Sequence, residues 1–138
     1  MEMDPPLVLV VEDMEEAREL VLDILGDEGY RVVGASNGLD AADTAVKLLP
    51  DAILMDLSLP VMGGLEAARL LKVDPRTRDI PIIALTAHSD RMTDAKNAGI
   101  DAFLAKPCPP EELLAALRDA LQIAPGTRFR TPSHDDDN

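Results

Sequence analysis

A doubly wound α/β fold, with five parallel strands in the order 2-1-3-4-5 and helices on both faces, is what the sequence predicts, on three observations. Short apolar runs recur at Leu7–Val11, Arg31–Ala35, Ala52–Asp56, residues 80–86 and Ala102–Ala105. Continuous apolar runs mark strands buried on both faces of a parallel sheet. A segment with helical spacing of apolar residues follows each run, and such alternation gives a parallel sheet joined by right-handed crossovers. Polar residues gather where the runs end: Glu12 and Asp13, Asp56, Thr86 and Lys106. The order 2-1-3-4-5, one of two common for such sheets, makes strands one and three neighbours at the switch point, where ligands bind.

In chain order, Glu12 and Asp13 lead from the first strand into a helix with Ala17, Leu20, Val21, Ile24 and Leu25 at helical spacing. Gly26 and Gly29 offer places to stop it. The second unit pairs Arg31–Ala35 with a helix over residues 39–49, with Leu39, Ala42, Val46 and Leu49 on one face and Pro50 closing it. The third places Ala52–Asp56 before a loop at residues 60–64 and a helix with Leu65, Ala68, Leu71 and Lys72, bounded by Pro75. The fourth strand tolerates Pro81 at its start, and a weaker helix follows with Met92, Ala95 and Ala98 before Gly99. After the last strand and Lys106-Pro107, residues Leu113, Leu114, Leu117 and Leu121 form a buried stripe. Residues 1–5 read as an N-terminal extension, 6–123 as one domain, and 124–138, without apolar period and ending in Asp-Asp-Asp-Asn, as a disordered tail.

Composition narrows the function. From a chain of 138 residues one ordinary core is expected, with no room for an effector domain. A net charge of −13 opposes direct binding to nucleic acid, and with aromatics at 2% the chain has few rings for base stacking. The lone Cys108 excludes an internal disulfide and a cysteine-based zinc site. No apolar run approaches membrane-spanning length, and the start lacks signal-peptide features, so a cytoplasmic protein is expected.

Asp56 is the residue that most needs an explanation, because an ionised carboxylate inside an apolar run is costly unless it has partners or a task. Taken alone, Asp56 reads as a turn cap, Asp13 with Glu16 as a helix N-cap with its capping-box partner, Thr86 as an ordinary strand residue, Lys106 as a solvated charge and Phe103 as core. The strand order brings the polar positions together. Glu12, Asp13 and Asp56 then share one crevice, with Thr86 and Lys106 on the same edge. Three carboxylates repel one another beyond what one Lys balances, whereas a hard divalent cation with oxygen ligands suits them, and Mg²⁺ is the natural candidate.

These residues resemble the receiver domain of two-component response regulators. The resemblance covers about residues 6–123 and rests on the Glu12-Asp13 pair, Asp56 with Leu57-Ser58-Leu59-Pro60-Val61-Met62-Gly63-Gly64, Leu85-Thr86-Ala87, and Phe103-Leu104-Ala105-Lys106-Pro107. It implies a chemotaxis-type, stand-alone regulator in which Asp56 takes a phosphoryl group from a histidine kinase or a histidine phosphotransfer protein. It further implies that Asp13, Asp56 and the Ser58 backbone carbonyl ligate Mg²⁺, with Glu12 acting through water. Lys106 pairs with Asp56, the Lys106-Pro107 bond is cis, and Thr86 with Phe103 forms a switch that reshapes a surface for a downstream target. Ser58 and His88 fall where the family tunes phosphoryl lifetime. The protein is then no enzyme beyond phosphotransfer and dephosphorylation at its own Asp56, and is a monomer or a phosphorylation-dependent dimer, with Asp101 and Arg118 available for pairing across it.

Three other functions fit less well. A flavodoxin-like carrier of flavin mononucleotide shares the strand order, but its phosphate would meet the negative charge of Glu12, Asp13, Glu15 and Glu16. An aspartate-nucleophile phosphatase carries its acidic signature after strand one, whereas Asp56 follows strand three. A receiver-like module that binds partners without accepting phosphate would not need the complete acidic, Thr and Lys set.

Overall fold

The computed structural model of the chain describes residues 5–57, 63–87 and 92–122. Strands β1 (Leu7–Val11), β2 (Arg31–Ala35), β3 (Ala52–Asp56), β4 (Ile82–Thr86) and β5 (Ala102–Ala105) alternate with helices α1 (Glu15–Asp27), α2 (Gly38–Leu48), α3 (Gly64–Val73), α4 (Met92–Asn97) and α5 (Pro110–Gln122). The strands form one parallel sheet in the order β2-β1-β3-β4-β5, as the sequence predicts. Val11 lies opposite both Ala35 and Met55, Asp56 opposite Leu85, and Thr86 opposite Ala105. That register lines up the carboxyl ends of the strands, so the polar residues that terminate them share one edge.

Alternation along the strands divides the interior into two cores, because successive side chains point to opposite faces. Leu9, Val11, Ile53, Met55, Ile82, Ala84 and Phe103 pack with Ala41 and Ala45 of α2, Ala67 and Leu71 of α3, and Ala95 of α4. Val8, Val10, Leu54, Ile83 and Leu104 pack with Leu25 of α1 and with Leu113 and Leu117 of α5. β3 is buried at every position, Asp56 included.

Several element details depart from the sequence reading. β4 begins at Ile82, since Pro81 has no N–H to enter the ladder and contributes only its carbonyl, which accepts from Ile53 N at 2.9 Å. Leu20 of α1 is 61% exposed, and the inward stripe is Val21, Leu22 and Leu25. α2 buries Gly38, Ala41 and Ala45 while Leu39 and Leu49 each stand 53% exposed. Small side chains let α2 settle close against the sheet and α3, where leucines would hold it off. The helix stops one residue earlier than expected, because Leu49 adopts a left-handed backbone with φ 48°. α1 runs through Gly26 and ends before Gly29, whose φ of 103° allows Tyr30 N to reach back to Leu25 O at 3.1 Å. α4 is six residues long and buries only Ala95, in keeping with its weak apolar pattern.

A polar staple joins α3 to the far half of the sheet. Lys72 Nζ donates to Arg78 O at 3.1 Å, Ile80 O at 2.8 Å and Asp101 Oδ2 at 2.9 Å, and the same Asp101 oxygen accepts from Ile82 N at 2.9 Å. Asp101 is thereby engaged within its own chain. Lys72→Met keeps the stem but takes the ammonium from two carbonyls and from the Asp101 carboxylate, which retains the Ile82 N–H, and is expected to lower stability by about 2 kcal/mol. Urea denaturation checks this: the midpoint falls while the slope stays constant.

Candidate functional site

The cleft forms where β1 and β3 release the chain. Neighbouring residues on a regular strand point apart, yet carboxylate oxygens of Glu12, Asp13 and Asp56 lie within 4.8 Å of one another. The backbone must therefore leave strand geometry at Glu12. It does so while Glu12 N still donates to Ala35 O at 3.0 Å and the Glu12 side chain accepts from Met14 N at 3.3 Å. Met14 occupies the N-cap of α1 and makes no side-chain cap bond, so the capping-box reading of Asp13 and Glu16 does not hold. The Asp13 carboxylate instead joins the cluster as its exposed member, with Glu12 and Asp56 buried.

Lys106 reaches into the cluster from the end of β5. Its ammonium donates to Asp56 Oδ2 at 3.1 Å and to Glu12 Oε1 at 3.3 Å. Thr86 O accepts from Lys106 N at 2.8 Å, which ties the backbone of this residue to the end of β4. The Lys106-Pro107 bond is cis, as expected. Burial by itself would lower the Lys106 pKa, but the hydrogen bond and charge of Asp56, aided by Glu12, outweigh it and hold the ammonium above its ordinary value. Burial raises the Glu12 carboxyl above its usual range, the Met14 N–H opposes that, and the Asp56 charge adds to the rise. Three carboxylates share the cleft that the Lys106 ammonium enters. Such a set of hard oxygen donors suits a hard divalent cation.

Of the other residues singled out from sequence, Thr86 and Phe103 are each 1% exposed, with Thr86 beside the cleft at the end of β4 and Phe103 in the core under α4. Ser58 and His88 lie outside the described residues. Two contacts were not anticipated: the Lys106–Glu12 pair, and a bond from Arg18 Nη1 to the Glu12 carbonyl at 2.9 Å. Helical periodicity marks Arg18 only as a solvated charge, so no sequence signal announced it.

Residues 8–118 match the family model of the response regulator receiver domain. The chain belongs to the receiver-domain family of response regulators. Its receiver fold is 35% identical over 119 residues to the polar-differentiation response regulator DivK of Brucella anthropi, an alignment covering 85% of this chain and 97% of DivK. The phosphate regulon transcriptional regulatory protein PhoB of Pseudomonas aeruginosa is 39% identical over 83% of this chain, which spans 51% of PhoB. Among solved structures, the receiver domain of the sensor histidine kinase PA1611 of P. aeruginosa superposes with a TM-score of 0.81 at 34% identity, over 86% of this chain and 99% of that one. That protein was solved with a magnesium ion coordinated in its active-site cleft. The chemotaxis protein CheY4 of Vibrio cholerae gives a TM-score of 0.80 at 33% identity, over 85% and 99% of the two chains. The receiver domain is accordingly a signalling module of two-component systems. None of its helices, among the described residues, is long and apolar enough to cross a membrane.

Proposed function

We propose that this receiver domain accepts a phosphoryl group on Asp56 from a histidine kinase or a histidine phosphotransfer protein, and passes the signal on by contact with a downstream target protein. The observation that carries the reading is the buried Asp56 carboxylate, held 3.1 Å from the Lys106 ammonium and grouped with Glu12 and Asp13. An Asp56 oxygen forms the new O–P bond as the N–P bond of the donor's phosphohistidine breaks, and the departing imidazole takes up a proton. Lys106 then transfers its hydrogen bond to a phosphoryl oxygen. Asp13, Asp56 and the Ser58 backbone carbonyl would hold Mg²⁺, with Glu12 reaching it through water. When bound, Mg²⁺ supplies positive charge that offsets repulsion between the carboxylates and the incoming phosphoryl group.

Once phosphorylated, Thr86 turns its hydroxyl toward the new oxygens and Phe103 follows, biasing an existing equilibrium by the difference in affinity between its two states. The short, thinly buried α4 is the element most easily moved. The net charge of −13 fits an output through protein contact in the cytoplasm, with the chain a monomer or a phosphorylation-dependent dimer, and fits neither nucleic acid nor an anionic membrane surface. Residues 124–138 are read as a tail dispensable for folding and phosphotransfer, and residues 1–5 as an N-terminal extension.

Acetyl phosphate tests the chemistry without a kinase. Phosphorylation of the full chain should require Mg²⁺ and stop on chelation, and Asp13→Ala should raise the Mg²⁺ concentration needed by roughly tenfold or more. Phosphorylation indifferent to chelator, or an unchanged Mg²⁺ requirement in Asp13→Ala, contradicts the proposal.

A further inference from the structure

We propose that Arg18 is a positioning residue for the cation site: its guanidinium holds the Glu12 carbonyl so that the Glu12 and Asp13 side chains turn into one cleft. The inference rests on reading Glu12, Asp13 and Asp56 as that site. β1 stays in register with β3 as far as Val11 opposite Met55, and Glu12 is the first residue beyond. Its N–H continues the ladder to Ala35 O at 3.0 Å, but its carbonyl accepts from Arg18 Nη1 at 2.9 Å. Arg18 stands at the start of α1, where its own N–H donates to Met14 O at 2.9 Å. The turn that redirects the two carboxylates is therefore clamped from the sheet at the Glu12 N–H and from α1 at the Glu12 carbonyl.

Gly34 leaves the path for this clamp. A Cβ at Gly34 would lie 3.1 Å from Arg18 Cδ, 3.4 Å from Leu22 Cδ1 and 3.5 Å from Arg18 Cγ, so the arginine stem crosses the end of β2 over the one strand residue there without a side chain. A glycine inside a strand is otherwise unfavourable. A buried carbonyl at a bend needs a donor, and a fixed carbonyl fixes the φ and ψ that aim the side chains on either side of it.

Positive charge close to a cation site opposes cation binding, whereas a clamp that pre-arranges the ligands favours it. The two roles of Arg18 thus have opposite signs, and the sign can be measured. Mn²⁺ serves as the probe, with the free ion counted by electron paramagnetic resonance in the wild-type chain and its variants. Arg18→Met keeps the stem and removes donor and charge; it should weaken Mn²⁺ binding roughly tenfold. Arg18→Lys restores a donor and should recover most of the loss. Gly34→Val leaves Arg18 present but displaces its stem, and should weaken binding as well. Urea unfolding in chelator reads the fold separately and should show midpoints near wild type.

Binding that is unchanged or tighter in Arg18→Met overturns the clamp. Equal loss in Arg18→Met and Arg18→Lys, wild-type binding in Gly34→Val, or losses that merely follow the unfolding midpoint, also overturn it. A wild-type chain that binds no Mn²⁺, or binds it as well after Asp13→Ala, removes the cation-site reading itself, an outcome distinct from failure of the clamp.

Discussion

Asp56→Asn is expected to reduce phosphoryl acceptance by roughly a thousandfold or more from any donor, the scale of losing a nucleophile. The amide matches the carboxylate in shape, so β3 and its packing persist, but it lacks an anionic oxygen to attack phosphorus. Asp56 is 6% exposed, pairs with Lys106 and clusters with Glu12 and Asp13, and among the described residues no other carboxylate belongs to β3 to replace it. Intact mass after exposure to acetyl phosphate and Mg²⁺ checks the loss, and far-ultraviolet circular dichroism checks that the fold is kept. Among the described residues Glu12 and Asp13 remain as carboxylates in the cleft. Residual labelling near the wild-type level would show that one of them, and not Asp56, is the acceptor.

The largest structural effect is expected at Gly64. A Cβ there would overlap the Asp56 carbonyl oxygen and would lie 2.9 Å from Leu57 Cα and 3.2 Å from the Asp56 carbonyl carbon. All three are backbone atoms, which cannot rotate aside as a side chain can. Gly64→Ala must displace either the first turn of α3 or the Asp56–Leu57 peptide, at a cost of about 3 kcal/mol. Because the second route moves the Asp56 carboxylate, Mn²⁺ binding should weaken together with stability. The neighbouring Gly63 provides the control: nothing among the described residues lies within 4 Å of a Cβ there and its φ is −66°. As N-cap of α3, Gly63→Ala should cost under about 1 kcal/mol. Urea midpoints of the two variants decide the matter, and equal midpoints would mean that the close approach of Gly64 to the strand end is not a constraint.

The sheet was legible because its strands are short, almost wholly apolar and separated by helix-length segments, which leaves few topologies to choose between. Once β1 and β3 are neighbours, Asp56 meets Glu12 and Asp13 without any knowledge of side-chain positions, and Thr86 and Lys106 fall on the same edge. The helix faces were less legible, because periodicity weights large side chains. In α2 the leucines at 39 and 49 point outward and the buried side is made of Gly38, Ala41 and Ala45. An acidic residue before a helix likewise reads as a cap, whereas Met14 holds that position and Asp13 contributes to the cleft. Asn37 is the true cap of α2, its Oδ1 accepting from Asp40 N at 2.8 Å. Contacts made by long side chains across the fold, Lys106 to Glu12 and Arg18 to the Glu12 carbonyl, depend on rotamers that no spacing rule carries.

The central claim, that Asp56 carries the phosphoryl group, is tested most directly by locating that group. The wild-type chain is phosphorylated in the presence of Mg²⁺, the acyl phosphate is trapped by borohydride reduction, and the modified residue is mapped by peptide mass spectrometry. The expected result is a single reduced site at Asp56, absent when Mg²⁺ is chelated. Reduction at Glu12 or Asp13, or a phosphoryl group on His88 that survives without Mg²⁺, would contradict it.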